Sequence, residues 1–178
     1  MKAVANRYIE LTPQGAAMCV GGPASDVRGR LLQALLLREP HRAWQSEELA
    51  QMLPDERQHA PRALFQLQRE GCIVVSLSAP LADERPWSAI QSDLESFIEE
   101  GATLAALLDA DGLVIAQADT ACPNDDPLAA PLEAALSIHV GEGLLAATYG
   151  LALRGLPAQE ASSLVPLVRR LVRTRALQ

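Results

Sequence analysis

The stretch that decides the fold of the second half of the chain is TLAALLDADGLVIAQ, residues 103–117. Two apolar runs, residues 104–108 and 113–116, flank the tetrapeptide Asp109-Ala110-Asp111-Gly112. Asp-Gly between apolar runs is a strong hairpin signal, because glycine readily adopts the positive φ that a tight turn requires. A helical pattern precedes the hairpin and ends at Gly101, a residue typical of the position just past a helix. The sequence therefore predicts a helix followed by a hairpin.

The charge of the chain is unevenly distributed, which indicates two structural units. The formal charge is -7 over 178 residues. Residues 1–85 are neutral overall, residues 86–160 carry one arginine against twelve acids, and residues 161–178 carry four arginines and no acid. A polar segment closed by a proline, residues 83–86, reads as a linker, so we expect one domain over residues 1–82 and a second over residues 83–178. An acidic second domain repels phosphate backbones, which argues against nucleic-acid binding there.

The first unit shows the pattern of three helices followed by a strand. Residues 7–11 suit a short strand, Pro13 and Gly15 read as turns, and Ser25 or Asp26 can cap a first helix. This first helix is stopped by Pro40, a short second helix covers residues 46–52, a third runs to Glu70, and residues 72–77 are β-branched and strand-like. The residues that carry the resemblance described next are 31–37, 46–52, 60–67 and 71–77. This pattern resembles the winged-helix form of helix-turn-helix domains.

The third helix of that unit leaves two alternatives open. In DNA-binding winged helices this element enters the major groove, and here Arg57, Gln58 and Arg62 would contact the bases. Against this, Asp55 and Glu56 lie at the same end, and the unit has no cluster of basic residues. A winged helix that contacts protein or dimerises is therefore the favoured alternative.

The remainder of the second unit is less regular. Residues 120–127 read as a loop, residues 128–140 as a helix with Pro131 in its first turn, and residues 144–153 as either strands or a helix. A last helix is expected over residues 158–177, with leucine and valine inward and Arg169, Arg170, Arg173 and Arg175 outward.

Helix, glycine, apolar strand, Asp-x-Asp-Gly turn and apolar strand resemble the roadblock (dynein light-chain-like) family of small α/β domains. The resemblance is carried by residues 99–101, 105–108, 109–112 and 113–116. The family's later three-strand meander does not fit between Val140 and the last helix, so we expect a shortened sheet. The expected fold class is α+β, a winged-helix-like unit followed by a roadblock-like unit with a sheet built on an antiparallel hairpin.

The roadblock resemblance implies a function in protein contact rather than in catalysis. Members dimerise and bind small GTPases or scaffold larger complexes, so the resemblance implies a homodimer with a protein partner. The residues expected at such contacts are Leu113 and Ile115 on the hairpin and Arg169 and Arg173 on the last helix. A dimeric DNA-binding regulator is the alternative.

No catalytic, cofactor-binding or metal-binding residue is predicted from the sequence. Asp109 and Asp111 are interpreted as turn residues, because a calcium loop needs further oxygens at fixed spacing. A grouping of Cys122, Asp125, Asp126 and His139 lacks the paired spacing of a metal site. Three scattered cysteines, no signal peptide and no membrane-length apolar run lead us to expect a cytoplasmic protein with reduced thiols.

Overall fold

The computed structural model describes residues 7–20, 26–39, 41–80, 89–120, 134–140 and 147–176. These residues form a mixed α+β fold with two antiparallel sheets, and the predicted fold class is confirmed at that level. In chain order the elements are β1 (Tyr8–Leu11), α1 (Pro13–Val20), α2 (Val27–Leu37), α3 (Ser46–Met52), α4 (Ala60–Arg69), β2 (Ile73–Ser76), α5 (Ile90–Glu99), β3 (Leu104–Leu108), β4 (Val114–Asp119), β5 (Ala134–Val140), β6 (Ala147–Arg154) and α6 (Leu164–Ala176). Short 3-10 turns cover Pro54–Glu56 and Ala158–Glu160.

The first sheet consists of β1 and β2, two strands that the helices α1 to α4 separate in the sequence. Leu11 lies opposite Ile73 and Tyr8 opposite Ser76, so the strand before the helices closes on the strand after them. The three predicted helices, α2 to α4, lie between the two strands in sequence, in the predicted order, and α4 packs against α2 and α3. Asp26 caps α2 as expected, with its carboxylate accepting the Gly29 N–H at 2.8 Å.

The prediction of turns at Pro13 and Gly15 is wrong, because both residues lie in the first turn of α1. Proline fits there, since the first N–H groups of a helix have no intrahelical acceptor. Gly15 is required by close packing: a Cβ on it would lie 2.0 Å from the Cys72 carbonyl oxygen. Thr12 holds the same junction, with its hydroxyl donating to the Gly71 carbonyl at 2.7 Å.

The second sheet has the strand order β4-β3-β6-β5, with antiparallel pairing throughout. The predicted hairpin is confirmed: β3 pairs with β4, and Gly112 has φ 81° in the turn between them. The predicted helix before it is also confirmed as α5, followed by Gly101 at φ 110°. Helix α5 packs against β3 and β4, and α6 packs against α5 and β5.

The helix predicted over residues 128–140 is wrong for residues 134–140, which form the edge strand β5; residues 128–133 lie outside the described part of the chain. Ile138 and Val140 are buried whereas Ser137 and His139 are exposed, and this alternation has the period of a strand. The undecided run over residues 144–153 is β6 from Ala147 onward.

The last helix begins at Leu164, later than the predicted residue 158, and Arg170 does not point outward. Arg170 is buried and forms a bidentate ion pair with Asp93 of α5, with Nε–Oδ2 at 2.5 Å and Nη2–Oδ1 at 3.1 Å. The two side chains are 5% and 0% exposed, so the pair joins α5 to α6 inside the protein. At 13 residues α6 is the longest described helix, and no helix among the described residues is long and apolar enough to cross a bilayer.

The hydrophobic core is continuous between the two predicted units. One cluster of buried side chains runs from Ile9 and Leu31 in the first unit to Leu107 and Leu167 in the second. Helix α1 makes this junction, because it packs against α6, β5 and the 3-10 turn Ala158–Glu160. The predicted domain boundary after residue 82 falls among residues 81–88, outside the described part of the chain.

Candidate protein-contact surfaces

Among the described residues of the second unit, the tip of the β3–β4 hairpin is the most exposed apolar feature. We define the hairpin tip as residues 110–115, all six of which are exposed. Leu113 is 66% exposed, Val114 41% and Ile115 43%. In monomeric proteins, contiguous exposed apolar side chains often mark an interaction site. The tip therefore has the composition of a contact surface.

Hydrogen bonds to Asp109 hold the tip in its turn conformation. The Asp109 carboxylate accepts the Asp111 and Leu113 N–H groups at 2.9 and 2.8 Å, and the Asp109 N–H donates to the Leu113 carbonyl. Asp109 therefore performs the turn chemistry expected from the sequence. The register shifts after the Leu107–Ala116 pair, because Leu108 lies opposite Val114 and Ile115 is skipped. This bulge leaves Val114 and Ile115 exposed together.

The outer edge of β4 is protected in part against the addition of another strand. In α5, the Gln91 side-chain amide donates to the Gln117 carbonyl at 2.9 Å, and this occupies one acceptor of the strand. The bulge at Ile115, two residues before Gln117, also interrupts the regular hydrogen-bonding edge of β4. Contact at the tip is thus better suited to side chains than to a continuous backbone ladder.

The two arginines predicted for the same contact lie elsewhere. Arg169 and Arg173 are half-buried on α6, which packs against α1, α2, α5 and β5, whereas β4 forms the opposite edge of the sheet. Burial lowers the pKa of Arg169, the positive charge of Arg173 lowers it further, and the Glu10 carboxylate acts in the opposite direction. The structure therefore does not bring Leu113 and Ile115 together with Arg169 and Arg173.

The three residues predicted to contact DNA are together at the start of α4. Arg57, Gln58 and Arg62 are all exposed. Glu56, which weighed against DNA binding, forms an ion pair with Arg30, so its charge is compensated inside the unit. Asp55 remains exposed at the same end.

A stripe of exposed side chains continues along α4 from this point. We define the α4 stripe as Arg62, Phe65 and Arg69, spaced three and four residues apart, so that they line one side of the helix. All three are exposed, and Phe65 is 65% exposed. The sequence analysis missed Phe65, although its spacing from Arg62 and its offset from the buried Ala60, Ala63 and Leu67 place it on the outer side.

The arginines of the first unit divide into two groups. The ion pairs among its described residues occupy Arg28 with Asp26 and Glu70, Arg30 with Glu56, and both Arg38 and Arg42 with Glu48. In the same described part of the unit, no carboxylate pairs with the three arginines at and along α4, namely Arg57, Arg62 and Arg69. The exposed Arg7, just before β1, also has no carboxylate partner among the described residues. Three of the four described arginines that are open to an external partner thus lie at and along α4, although the unit as a whole is neutral.

The two described thiols are buried and lie in no metal-type grouping of the described residues. Cys19 and Cys72 are free and buried; burial raises the pKa of Cys19 to about 12 and raises that of Cys72 as well, so both are protonated at neutral pH. His139 lies on β5, with Nδ1 3.2 Å from the Thr148 hydroxyl. Within the described residues no three His, Cys, Asp or Glu side chains are grouped for a metal ion, and Cys122, Asp125 and Asp126 lie outside those residues.

Comparison with family models, with curated proteins and with solved structures finds no match to this chain. The winged-helix and roadblock resemblances therefore remain predictions.

Proposed function

We propose that this chain is a non-enzymatic cytoplasmic regulator or adaptor that forms a homodimer and binds a protein partner through its roadblock-like second unit. The observation that carries the proposal is the hairpin tip, where three consecutive residues, Leu113, Val114 and Ile115, are exposed beside a turn that the Asp109 carboxylate holds by hydrogen bonds. An aliphatic patch of this kind gains free energy when a protein surface removes it from water.

The order of elements supports the resemblance on which the proposal draws. Helix α5, the β3–β4 hairpin with its Asp-x-Asp-Gly turn, two further strands and the closing helix α6 follow one another as in the roadblock pattern. The second helix and one strand of that pattern have no counterpart among the described residues. By the same resemblance, we propose a small GTPase as the class of protein partner.

Sedimentation equilibrium of the full chain tests the proposal. We expect a dimer whose dissociation constant rises by about tenfold or more in the Leu113→Ser/Ile115→Ser variant, because two exposed aliphatic anchors are lost. Leu37→Ser is the matched control, since Leu37 is 55% exposed on α2, away from the hairpin. A chain that stays monomeric at high concentration, or a dimer that the double variant leaves unchanged, would contradict the proposal.

A DNA-binding regulator is the second candidate, and the cluster of Arg57, Gln58 and Arg62 at the start of α4 favours it. We expect binding to duplex DNA in this case to weaken steeply with salt, and Arg62→Ala to lower either the salt slope or the sequence preference. A titration that shows no salt-dependent binding would eliminate this candidate.

A further inference from the structure

The hairpin tip combines apolar side chains with negative charge. Asp111 is exposed and Asp109 half-buried beside Leu113, Val114 and Ile115. If two tips met face to face around a two-fold axis, the carboxylates of both copies would approach each other. Like charges placed opposite one another across an interface oppose association. A surface that fits the tip must therefore offer apolar area together with positive charge.

Among the described residues, the α4 stripe offers that combination. Phe65 supplies a large apolar side chain, and Arg62 and Arg69 flank it one helical turn to either side, without a carboxylate partner in the described part of the chain. Leu77, which is 73% exposed just after β2, has a single cation across the strand pair, because Tyr8 lies opposite Ser76 and the exposed Arg7 precedes Tyr8. The α4 stripe has two.

The chain cannot satisfy this match within itself. Phe65 and Leu113 are 65% and 66% exposed in the same molecule, so the tip does not cover the stripe of its own chain. Helix α4 packs against α2, α3 and β2, whereas the strands of the hairpin pack against α5 and β6. A contact between the tip and the stripe would therefore join two molecules.

We infer that the hairpin tip of one copy docks on the α4 stripe of a second copy, with Asp111 facing the arginines and Leu113 and Ile115 facing Phe65. In a two-fold dimer this contact occurs twice, because a residue that contacts a second residue across the axis is contacted by it in return. The inference rests on the proposed dimer, and it adds α4 of the first unit to the interface that the second unit supplies.

Charge reversal and restoration test the inference by sedimentation equilibrium. Arg62→Glu/Arg69→Glu should weaken self-association by about tenfold or more, since two attractions become repulsions. Adding Asp111→Lys to the same chain should recover part of the loss, which a merely misfolded variant would not do. Phe65→Ser should weaken the dimer, whereas Leu77→Ser, which removes a similarly exposed apolar side chain outside the stripe, should not.

The outcomes separate this inference from the proposed function. If Leu113→Ser/Ile115→Ser abolishes the dimer while the stripe variants leave it intact, the tip binds a different surface and the inference is wrong, but the proposed dimer stands. If the stripe variants abolish duplex DNA binding and leave the dimer unchanged, the stripe serves DNA and the inference is wrong. Restoration of the dimer by Asp111→Lys supports the inference.

Discussion

Removing one member of the Asp93–Arg170 pair should destabilise the protein strongly. Asp93→Asn keeps the shape of the side chain but removes the carboxylate charge that faces the buried guanidinium of Arg170. Both side chains are at most 5% exposed, and two hydrogen bonds of 2.5 and 3.1 Å join them. Loss of one partner of such a buried pair costs about 3–5 kcal/mol, which lowers the melting temperature of a chain of this length by about 6–20 °C.

The measurement is urea and thermal unfolding of Asp93→Asn beside Glu99→Gln, an amide substitution at an exposed position of the same helix. The control should change the free energy of unfolding by less than about 0.5 kcal/mol. Asp93→Leu/Arg170→Met should recover most of the loss, because apolar side chains often replace a buried ion pair without cost. The reasoning would be refuted if Asp93→Asn lowered the free energy of unfolding by less than about 1 kcal/mol. It would also be refuted if Asp93→Leu/Arg170→Met lost as much stability as the two single substitutions added together.

Three further variants test the local geometry by urea unfolding. Gly15→Ala should cost about 3 kcal/mol or more, because its Cβ would lie 2.0 Å from the Cys72 carbonyl oxygen and a backbone must move; an ordinary cost below 1 kcal/mol would contradict the close packing of α1. Gly112→Ala should cost only about 1–2 kcal/mol, because φ is 81° but a Cβ at this position meets no other side chain or strand within 4 Å. A larger loss would contradict the open surroundings of this turn. For Glu100, burial raises the pKa, but hydrogen bonds from Ser162 and Ser163 outweigh it and the net pKa falls below 4.5. Because folding lowers the pKa of Glu100, the ionised carboxylate stabilises the protein at pH values above the unfolded-state pKa, and this stability is lost as the pH falls through the folded-state pKa. Glu100→Gln should therefore be less stable than the wild type at pH 7, and the difference in the free energy of unfolding should narrow below about pH 4.5. A difference that does not change with pH would contradict this.

The parts of the fold that the sequence predicted correctly are those set by local signals. The Asp-Gly turn, the cap at Asp26 and the glycine after α5 each act within a few residues, and all three are confirmed. The exposure of Leu113 and Ile115 follows from the same turn, because residues beside a hairpin loop have few neighbours.

The errors arose where distant parts of the chain decide the structure. Residues 134–140 have aliphatic composition compatible with a helix, and pairing with β6 makes them a strand. Arg170 cannot be told from Arg169 and Arg173 in the sequence, and only the position of Asp93, 77 residues earlier, explains why it is the one that is fully buried. The α4 stripe could not be predicted in full from the sequence either. Which arginines stay open depends on the ion pairs of Arg28, Arg30 and Arg38, and these join separate elements.

Hydrogen exchange measured by mass spectrometry at two protein concentrations tests the central claim most directly. If the hairpin tip is a contact surface between copies, amides of residues 109–119 should exchange more slowly at the concentration where the dimer forms. Residues 104–108, paired on both sides within the sheet, provide the internal reference. The result that would contradict this claim is a protein that forms a dimer at the higher concentration, while the exchange rates of residues 109–119 stay the same at both concentrations.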